Sequence, residues 1–277
     1  LLKLEELSSI KISFMKKLYL STFILMASTF VFAQKHEFGI GYQLSLPRQM
    51  MEKGWNNGHG LNMDYFFHPK TVKGFSIGTH LGYGSYASQS QPQEYRFIDG
   101  TITYTNVNLS SSIASGSLSA RYAPLISKKF SPFAEIQGGY LGMFSDLYIE
   151  DPRDPLGCRP LESNTLVSSG SLFFALGGGI QLYLGQGKKD GKQKHLLELS
   201  ARTLWGGEME YANMNRLYNH AEVTGNPMPD PEMGETPLMV TFINASTSQQ
   251  HMHTVAELYN HPLRMVQIQL QYVVRMN

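Results

Sequence analysis

The side chains able to do chemistry fall into a few separate groups. His251-Met252-His253 sets two imidazoles on one side of an extended segment, with His220, His261 and several methionines nearby in sequence. Imidazole and thioether donors suit copper or zinc. No third fixed ligand accompanies the pair, so no metal site or other cofactor is expected, and His251 and His253 are the only metal candidates. Asp151, Asp154 and Glu162 lie among prolines at a spacing that fits no calcium loop. Cys158 is the single cysteine, which rules out an internal disulfide and a multi-cysteine zinc site and leaves a free or intermolecular thiol. The run Gly54 to Gly60 reads as a turn, since no strand feeds it into a helix start as a phosphate cradle requires. Nucleophilic catalysis needs a histidine beside a serine or an acidic partner. His195 and Ser200 are five positions apart and so face opposite sides of one strand. His80 and Asp64 make a better couple, yet no nucleophile is placed beside them, so a satisfied interior histidine is expected and an enzyme is not.

Charge and composition narrow the classes further. The chain has 277 residues with 23 Lys+Arg against 22 Asp+Glu, a net charge of +1, too even a balance for the basic face that nucleic acid demands. Mean hydropathy is slightly negative, which excludes a bundle of membrane-spanning helices, each needing about 20 mostly apolar residues. Gly, Tyr, Phe, Ser and Gln are abundant, a usage that suits strands and turns.

One apolar stretch stands out, near the start. Met15-Lys16-Lys17 precedes an uncharged run from Leu18 to Phe32, and Val31-Phe32-Ala33 precedes Gln34. Basic, then apolar, then small residues is the order of a cleaved export signal. The domain expectations are therefore an upstream extension over 1–14, a signal peptide over 15–33 and one β domain over 34–277.

Across that domain the dominant period is two. Phe38, Ile40, Tyr42, Leu44 and Leu46 alternate with polar or empty positions. Similar runs start near Leu61, Phe75, Leu118, Ala134, Phe174 and Leu197, and the last runs from Val266 to Met276. In the fourth run Val107, Leu109 and Ile113 have the opposite parity to Leu118, Ala120 and Tyr122, which predicts a bulge or a membrane rim near Ala114 to Gly116. The polar faces carry Gly, Ser and Gln rather than the Lys and Glu of a soluble sandwich's outer face. Eight strands of about ten residues with an aromatic-rich apolar face predict an all-β, antiparallel transmembrane barrel, because a closed barrel leaves no unpaired backbone in lipid. Connections alternate between short (68–73, 124–129, 185–194) and long (47–60, 86–104, 145–170, 206–262), as periplasmic turns and extracellular loops do. The last loop is long enough to hide another hairpin, with 238–245 and 254–259 as candidates, so ten strands is the structural alternative.

Polar faces turned inward collect Glu37, Asp64, His80, Arg121, Glu135, Glu198 and Arg202 with Gln267, Gln269 and Gln271. An eight-stranded barrel holds only side chains or one small ligand, so these charges are expected to pair and fill it. The many inward glycines favour the alternative, a narrow polar path in which Arg121 and Arg202 set selectivity.

The export signal ending Phe32-Ala33-Gln34, the strand-turn-strand from Leu118-Ser119-Ala120-Arg121-Tyr122 to Ser131-Pro132-Phe133-Ala134-Glu135, and the alternating C-terminal strand together resemble the small outer-membrane barrels of the OmpA and OmpW kind. The resemblance implies a porin-like transmembrane protein of the Gram-negative outer membrane, inserted by the barrel assembly machinery and surrounded by outer-membrane lipid and lipopolysaccharide. Its long loops would face the cell surface and meet a protein or glycan partner. The expected role is a non-enzymatic structural or interaction protein, with a narrow solute channel and a lipid-modifying enzyme as alternatives. Barrels of this kind commonly end on an aromatic residue, whereas this chain ends Val274-Arg275-Met276-Asn277.

Overall fold

The computed structural model describes residues 35–53, 55–96, 102–124, 129–149, 162–186, 193–213, 236–243 and 250–276. The export signal, the segment before it and the loop holding Asp151, Asp154 and Cys158 lie outside the described residues. Nine strands are described: β1 (Lys35–Pro47), β2 (Gly58–His68), β3 (Phe75–Arg96), β4 (Ile102–Tyr122), β5 (Phe130–Ile149), β6 (Glu162–Gln186), β7 (Gln193–Asn213), β8 (Thr236–Ile243) and β9 (Gln250–Met276). All pairings are antiparallel. β1 to β7 pair in chain order, β9 pairs with β7, and β9 pairs with β1 to close the cylinder.

The closed barrel has eight strands, so the ten-stranded alternative is not formed. The hairpin suspected in the last loop does exist, but only as β8 against the upper part of β9, from Thr236 opposite Leu258 to Ile243 opposite Gln250. β1 stops at Pro47, opposite Met265, and β8 takes over the edge of β9 that β1 vacates above it.

The strands are about twice the expected length. β3 to β7 run from 20 to 25 residues and β9 has 27, where roughly 9–11 tilted residues suffice to cross a bilayer. Much of what the sequence assigns to long loops is strand. The reason is a change of polarity partway up each wall. In the lower half, Phe38, Ile40, Leu61, Met63, Leu81, Leu118, Ile136, Leu176 and Leu270 are exposed on the outside. In the upper half the outward positions are polar, among them Asn106, Ser110, Ser168, Glu208 and Glu210, while Leu109, Ile113, Leu141, Met143, Leu147, Leu204, Met209 and Tyr211 are buried inside.

Of the two expectations for Ala114 to Gly116, a bulge or a membrane rim, no bulge forms, and the outward polarity changes there, Gly116 pairing with Tyr140 at the top of the exposed apolar run on β5. β4 pairs without interruption, and Leu109, Ile113, Ser119 and Arg121 share its inward face. The parity change belonged to polarity, not to the backbone. The irregularity opposite β4 sits in β3, between Ser85 and Ala87, where Tyr86 is the extra residue and turns into the upper core.

The chain after β1 completes that core. Arg48 donates its N–H to the Arg264 carbonyl at 2.9 Å, a 3-10 turn spans Gln49–Lys53, and Trp55 donates to the Met51 carbonyl at 3.2 Å. Met51 and Trp55 are thereby carried into the apolar cluster, and Trp55 lies 4.9 Å from the Tyr86 ring and 6.1 Å from Tyr211. At the short-turn end Gly74, with φ +80, makes the corner between β2 and β3, and its carbonyl accepts from Ala123 at 2.7 Å.

The apolar outer band has the height of a bilayer core. On β5 it runs from exposed Phe130 to exposed Tyr140. Ten residues at about 3.3 Å each, tilted by about 40°, rise by about 25 Å. Two outward positions of β4 test where it ends. Leu118→Arg, at mid-band, should cost about 2–4 kcal/mol, whereas Ser110→Arg, eight residues up the same face, should change stability by less than about 0.5 kcal/mol. Urea unfolding in phospholipid vesicles, followed by tryptophan fluorescence, measures both; equal costs would place the membrane elsewhere.

Candidate functional site

Inward positions in the lower half form one polar layer to which every barrel strand contributes. β1 supplies Glu37 and Gln43, β2 Asp64, β3 His80, β4 Arg121, β5 Glu135 and Gln137, and β6 Gln181. β7 adds Glu198 and Arg202, and β9 adds Gln267, Gln269 and Gln271, all of these side chains being buried. Period two puts them on the inner face, and strand stagger then decides which of them meet.

Arg121 is the centre. Its Nη1 and Nη2 donate to the two Glu198 oxygens at 2.8 Å each and its Nε donates to Glu135 Oε2 at 2.8 Å. The guanidinium carbon lies 3.9 Å from the ring centroids of both Phe66 and Phe133, so the plane is held between two aromatic faces. Glu198 also accepts from Gln181 at 2.9 Å. Arg275, near the end of β9, pairs with Glu37 and donates to Gln181 Oε1 at 2.8 Å.

A second limb of the network runs through His80. Asp64 and His80 are directly opposed across β2 and β3, with Nδ1 2.7 Å from Asp64 Oδ1. The other ring nitrogen lies 3.0 Å from Ser119 Oγ and 3.1 Å from Glu135 Oε1. Gln271 donates to Asp64 at 2.5 Å and to Gln269 Oε1 at 2.9 Å, Arg202 donates to the same Gln269 oxygen at 2.5 Å, and Gln269 donates to Gln43 at 2.8 Å. Gln267 is buried beside this chain, but its amide nitrogen has no hydrogen-bond partner among the described residues.

Ser119 corrects one reading of the sequence. A hydroxyl does stand beside the Asp64–His80 couple, and the three together have the spacing of an acid-histidine-serine relay. Two features argue against its use. All three side chains are buried in the lumen, and the Glu135 carboxylate shares the histidine nitrogen that would have to take the serine proton. His195 and Ser200 are separated as their parity requires: Ser200 is buried inside, while His195 Nδ1 lies 2.5 Å from the hydroxyl of exposed Tyr272.

The inward glycines do not hollow the lumen. A Cβ at Gly41 would fall on the Leu270 carbonyl, at Gly139 on that of Gly116 and at Gly177 on that of Ala201, so these positions let neighbouring strands close up. Phe66, Phe133, Ser119 and Arg275 are the network members that chemistry-first reading of the sequence passes over. Each shares the parity of a residue it did single out: Asp64, Glu135, Arg121 and Gln271.

Above the polar layer the apolar core is capped by aromatic side chains. Tyr259 stacks on Tyr211 at 5.9 Å and on His261 at 5.7 Å, and His261 Nδ1 lies 3.0 Å from the Tyr211 hydroxyl. Burial, with Tyr259 adding to it, pushes the Tyr211 phenol above its usual range. His251 and His253 lie on the end of β9 that pairs with β8, opposite Phe242 and Val240, and their side chains lie outside the described residues. Among the described residues no group of three or more His, Cys, Asp or Glu side chains could hold a metal ion.

Removing one partner of a buried ion pair leaves the other charge uncompensated. Arg121→Leu should therefore destabilise the barrel by about 3–5 kcal/mol. Glu198→Gln, which keeps the shape and one acceptor oxygen, should cost less. Urea midpoints of the refolded variants give the comparison, and an Arg121→Leu barrel as stable as the parent would mean the network carries no stability.

No known protein family matches the chain by its sequence pattern, and no curated protein matches it. Among solved structures the chain is similar to Neisserial surface protein A, with 10% sequence identity over 87% of this chain and 96% of that one and a TM-score of 0.39. It is similar to Ail, the attachment invasion locus protein of Yersinia pestis, with 10% identity over 88% of this chain and 99% of that one and a TM-score of 0.37. A major outer membrane protein from Thermus thermophilus matches with 10% identity over 87% of this chain and 99% of that one, with a TM-score of 0.38.

Proposed function

We propose that this protein is an integral outer-membrane barrel of a Gram-negative bacterium that passes no solute and presents its long-loop end to a partner at the cell surface. The observation that carries the reading is the filling of the lumen at two levels by different means. The lower level is an ion-paired polar layer and the upper one a packed apolar core that includes Met51 and Trp55. A barrel meant to conduct would have no use for either. The upper half of the wall, polar outside and apolar inside, is built like a water-soluble β-structure standing on the membrane. Such a platform holds loops away from the lipid headgroups, where a protein or glycan can reach them. Insertion would depend on the barrel assembly machinery, and outer-membrane lipid and lipopolysaccharide would surround the band.

The refolded protein should be silent in planar bilayers, and Arg202→Ala should stay silent because the apolar core above it remains. Discrete single-channel steps in the parent, altered by Arg202→Ala, would replace this reading with that of a narrow channel.

The Asp64–His80–Ser119 spacing is the one observation that favours an enzyme. We read it as part of the fill, so a fluorophosphonate probe should leave the folded barrel unlabelled. Labelling that disappears in Ser119→Ala would assign the protein to the serine hydrolases.

A further inference from the structure

We propose that the short-turn mouth of the barrel is a binding pocket for a phosphate-bearing anion. A cavity of about 310 Å³ lies there, below the polar layer. Its volume is at the lower end of those that hold small ligands. The lining draws on β1, the β2–β3 turn, β4, β5, β6, β7 and β9, so the barrel wall itself shapes it.

Its charge is one-sided. Lys35, Lys70, Lys73 and Lys194 surround the cavity, and Arg121 and Arg275 form part of its lining. No Asp or Glu is among the lining residues. The nearby carboxylates are committed elsewhere: Glu37 pairs with Arg275 and His68, and Glu135 and Glu198 pair with Arg121. Lys35, Lys70 and Lys73 form no ion pair among the described residues, and Arg275 uses only Nε and Nη2, leaving Nη1 without a described partner. Cations gathered around a concave, low-dielectric wall raise the local potential and concentrate anions of matching size. A phosphate group offers several acceptor oxygens and more than one charge, which suits a set of mobile ammonium groups with a guanidinium donor.

The placement is not an average property of the surface. From Lys35 onward, every lysine except Lys53 falls in or beside the three short turns and the strand ends next to them, and Asp190 is the single acid in those connections. The β2–β3 turn that carries Lys70 and Lys73 is fixed by two hydrogen bonds, Phe75 to the Val72 carbonyl at 3.3 Å and Ala123 to the Gly74 carbonyl at 2.7 Å. Arg121, Gln181 and Arg275 belong both to the pocket lining and to the ion-paired layer, so that layer stands between a bound anion and the lumen above. The ligand is either a free phosphate compound or the headgroup of a lipid from the surrounding leaflet, and both share the chemistry recognised here.

The full refolded chain in a non-ionic detergent micelle can be titrated calorimetrically with inorganic pyrophosphate and, separately, with short-chain phosphatidylglycerol, at fixed ionic strength against sodium chloride. Binding of pyrophosphate, weakened about tenfold or more in Lys35→Gln/Lys70→Gln/Lys73→Gln and retained in the corresponding triple Arg variant, supports a free phosphate ligand. The same pattern for phosphatidylglycerol alone supports a lipid headgroup. These lysines are exposed, and the heat-modifiable folded band on a gel confirms that each variant is folded. Binding no better than chloride for both probes, or binding that the triple Gln variant leaves unchanged, overturns the proposal. Neither result depends on whether the barrel conducts or on what its loops bind.

Discussion

Hydrocarbon offers the backbone no hydrogen-bonding partner, so a sheet that crosses a membrane must close. Here closure is the pairing of β1 with β9, from His36 opposite Met276 to Pro47 opposite Met265. The remaining architecture follows from making that closure with eight strands. So narrow a cylinder leaves an interior that side chains can fill completely. Any charged residue on an inward face must then meet a partner within the lumen, because water cannot reach it in bulk. Arg121 meets that demand with two carboxylates and two aromatic faces, drawn from β5, β7, β2 and β5 again.

The polarity switch along each strand is the same constraint met twice with opposite solvents. Next to lipid the outward face has to be apolar, and the inward face is free to carry charges provided they pair. Above the lipid the outward face meets water and becomes polar, so the only apolar burial available to the upper wall is inside. Leu109 and Arg121 therefore occupy the same face of one strand, twelve residues apart, with opposite chemistry. The 3-10 turn after β1 belongs to this upper regime. It brings Met51 and Trp55 to the core as a separate piece of chain, packed against the side chains that the strands supply.

Much of this was legible in the sequence, and what was not has a common cause. Alternation located the eight barrel strands and their inward faces, and it paired Asp64 with His80 across β2 and β3. It fell short where the chemistry of the two faces was exchanged: Leu109 and Ile113 looked out of phase, which left a bulge and a membrane rim as equal readings, and the upper ends of β3, β5, β6, β7 and β9 looked like loops. Period two reports which face a residue occupies but not which solvent that face meets. It is also silent on level around the barrel. Arg121 and Glu198 are 77 positions apart on strands that are not neighbours, and only stagger and the small diameter bring them to 2.8 Å. Ser119 went unnoticed for the same reason, since its contact with His80 crosses from β4 to β3 one level off the direct register partner, Ser117.

The two fillings differ in how they can fail, and this bears on what the barrel could be made to do. The polar layer is part of the wall: each member sits on a hydrogen-bonded strand, and opening it would mean separating buried charges, at a cost of several kcal/mol for each ion left unpaired. The upper core depends in part on Met51 and Trp55, which reach it from a turn anchored by Arg48 and Arg264. Drawing that turn out would expose apolar surface but break few hydrogen bonds, so it is the more labile seal. Because the seals lie in series, release of the upper one still leaves the lower one intact. A rearrangement confined to the upper core therefore leaves the membrane-spanning level closed.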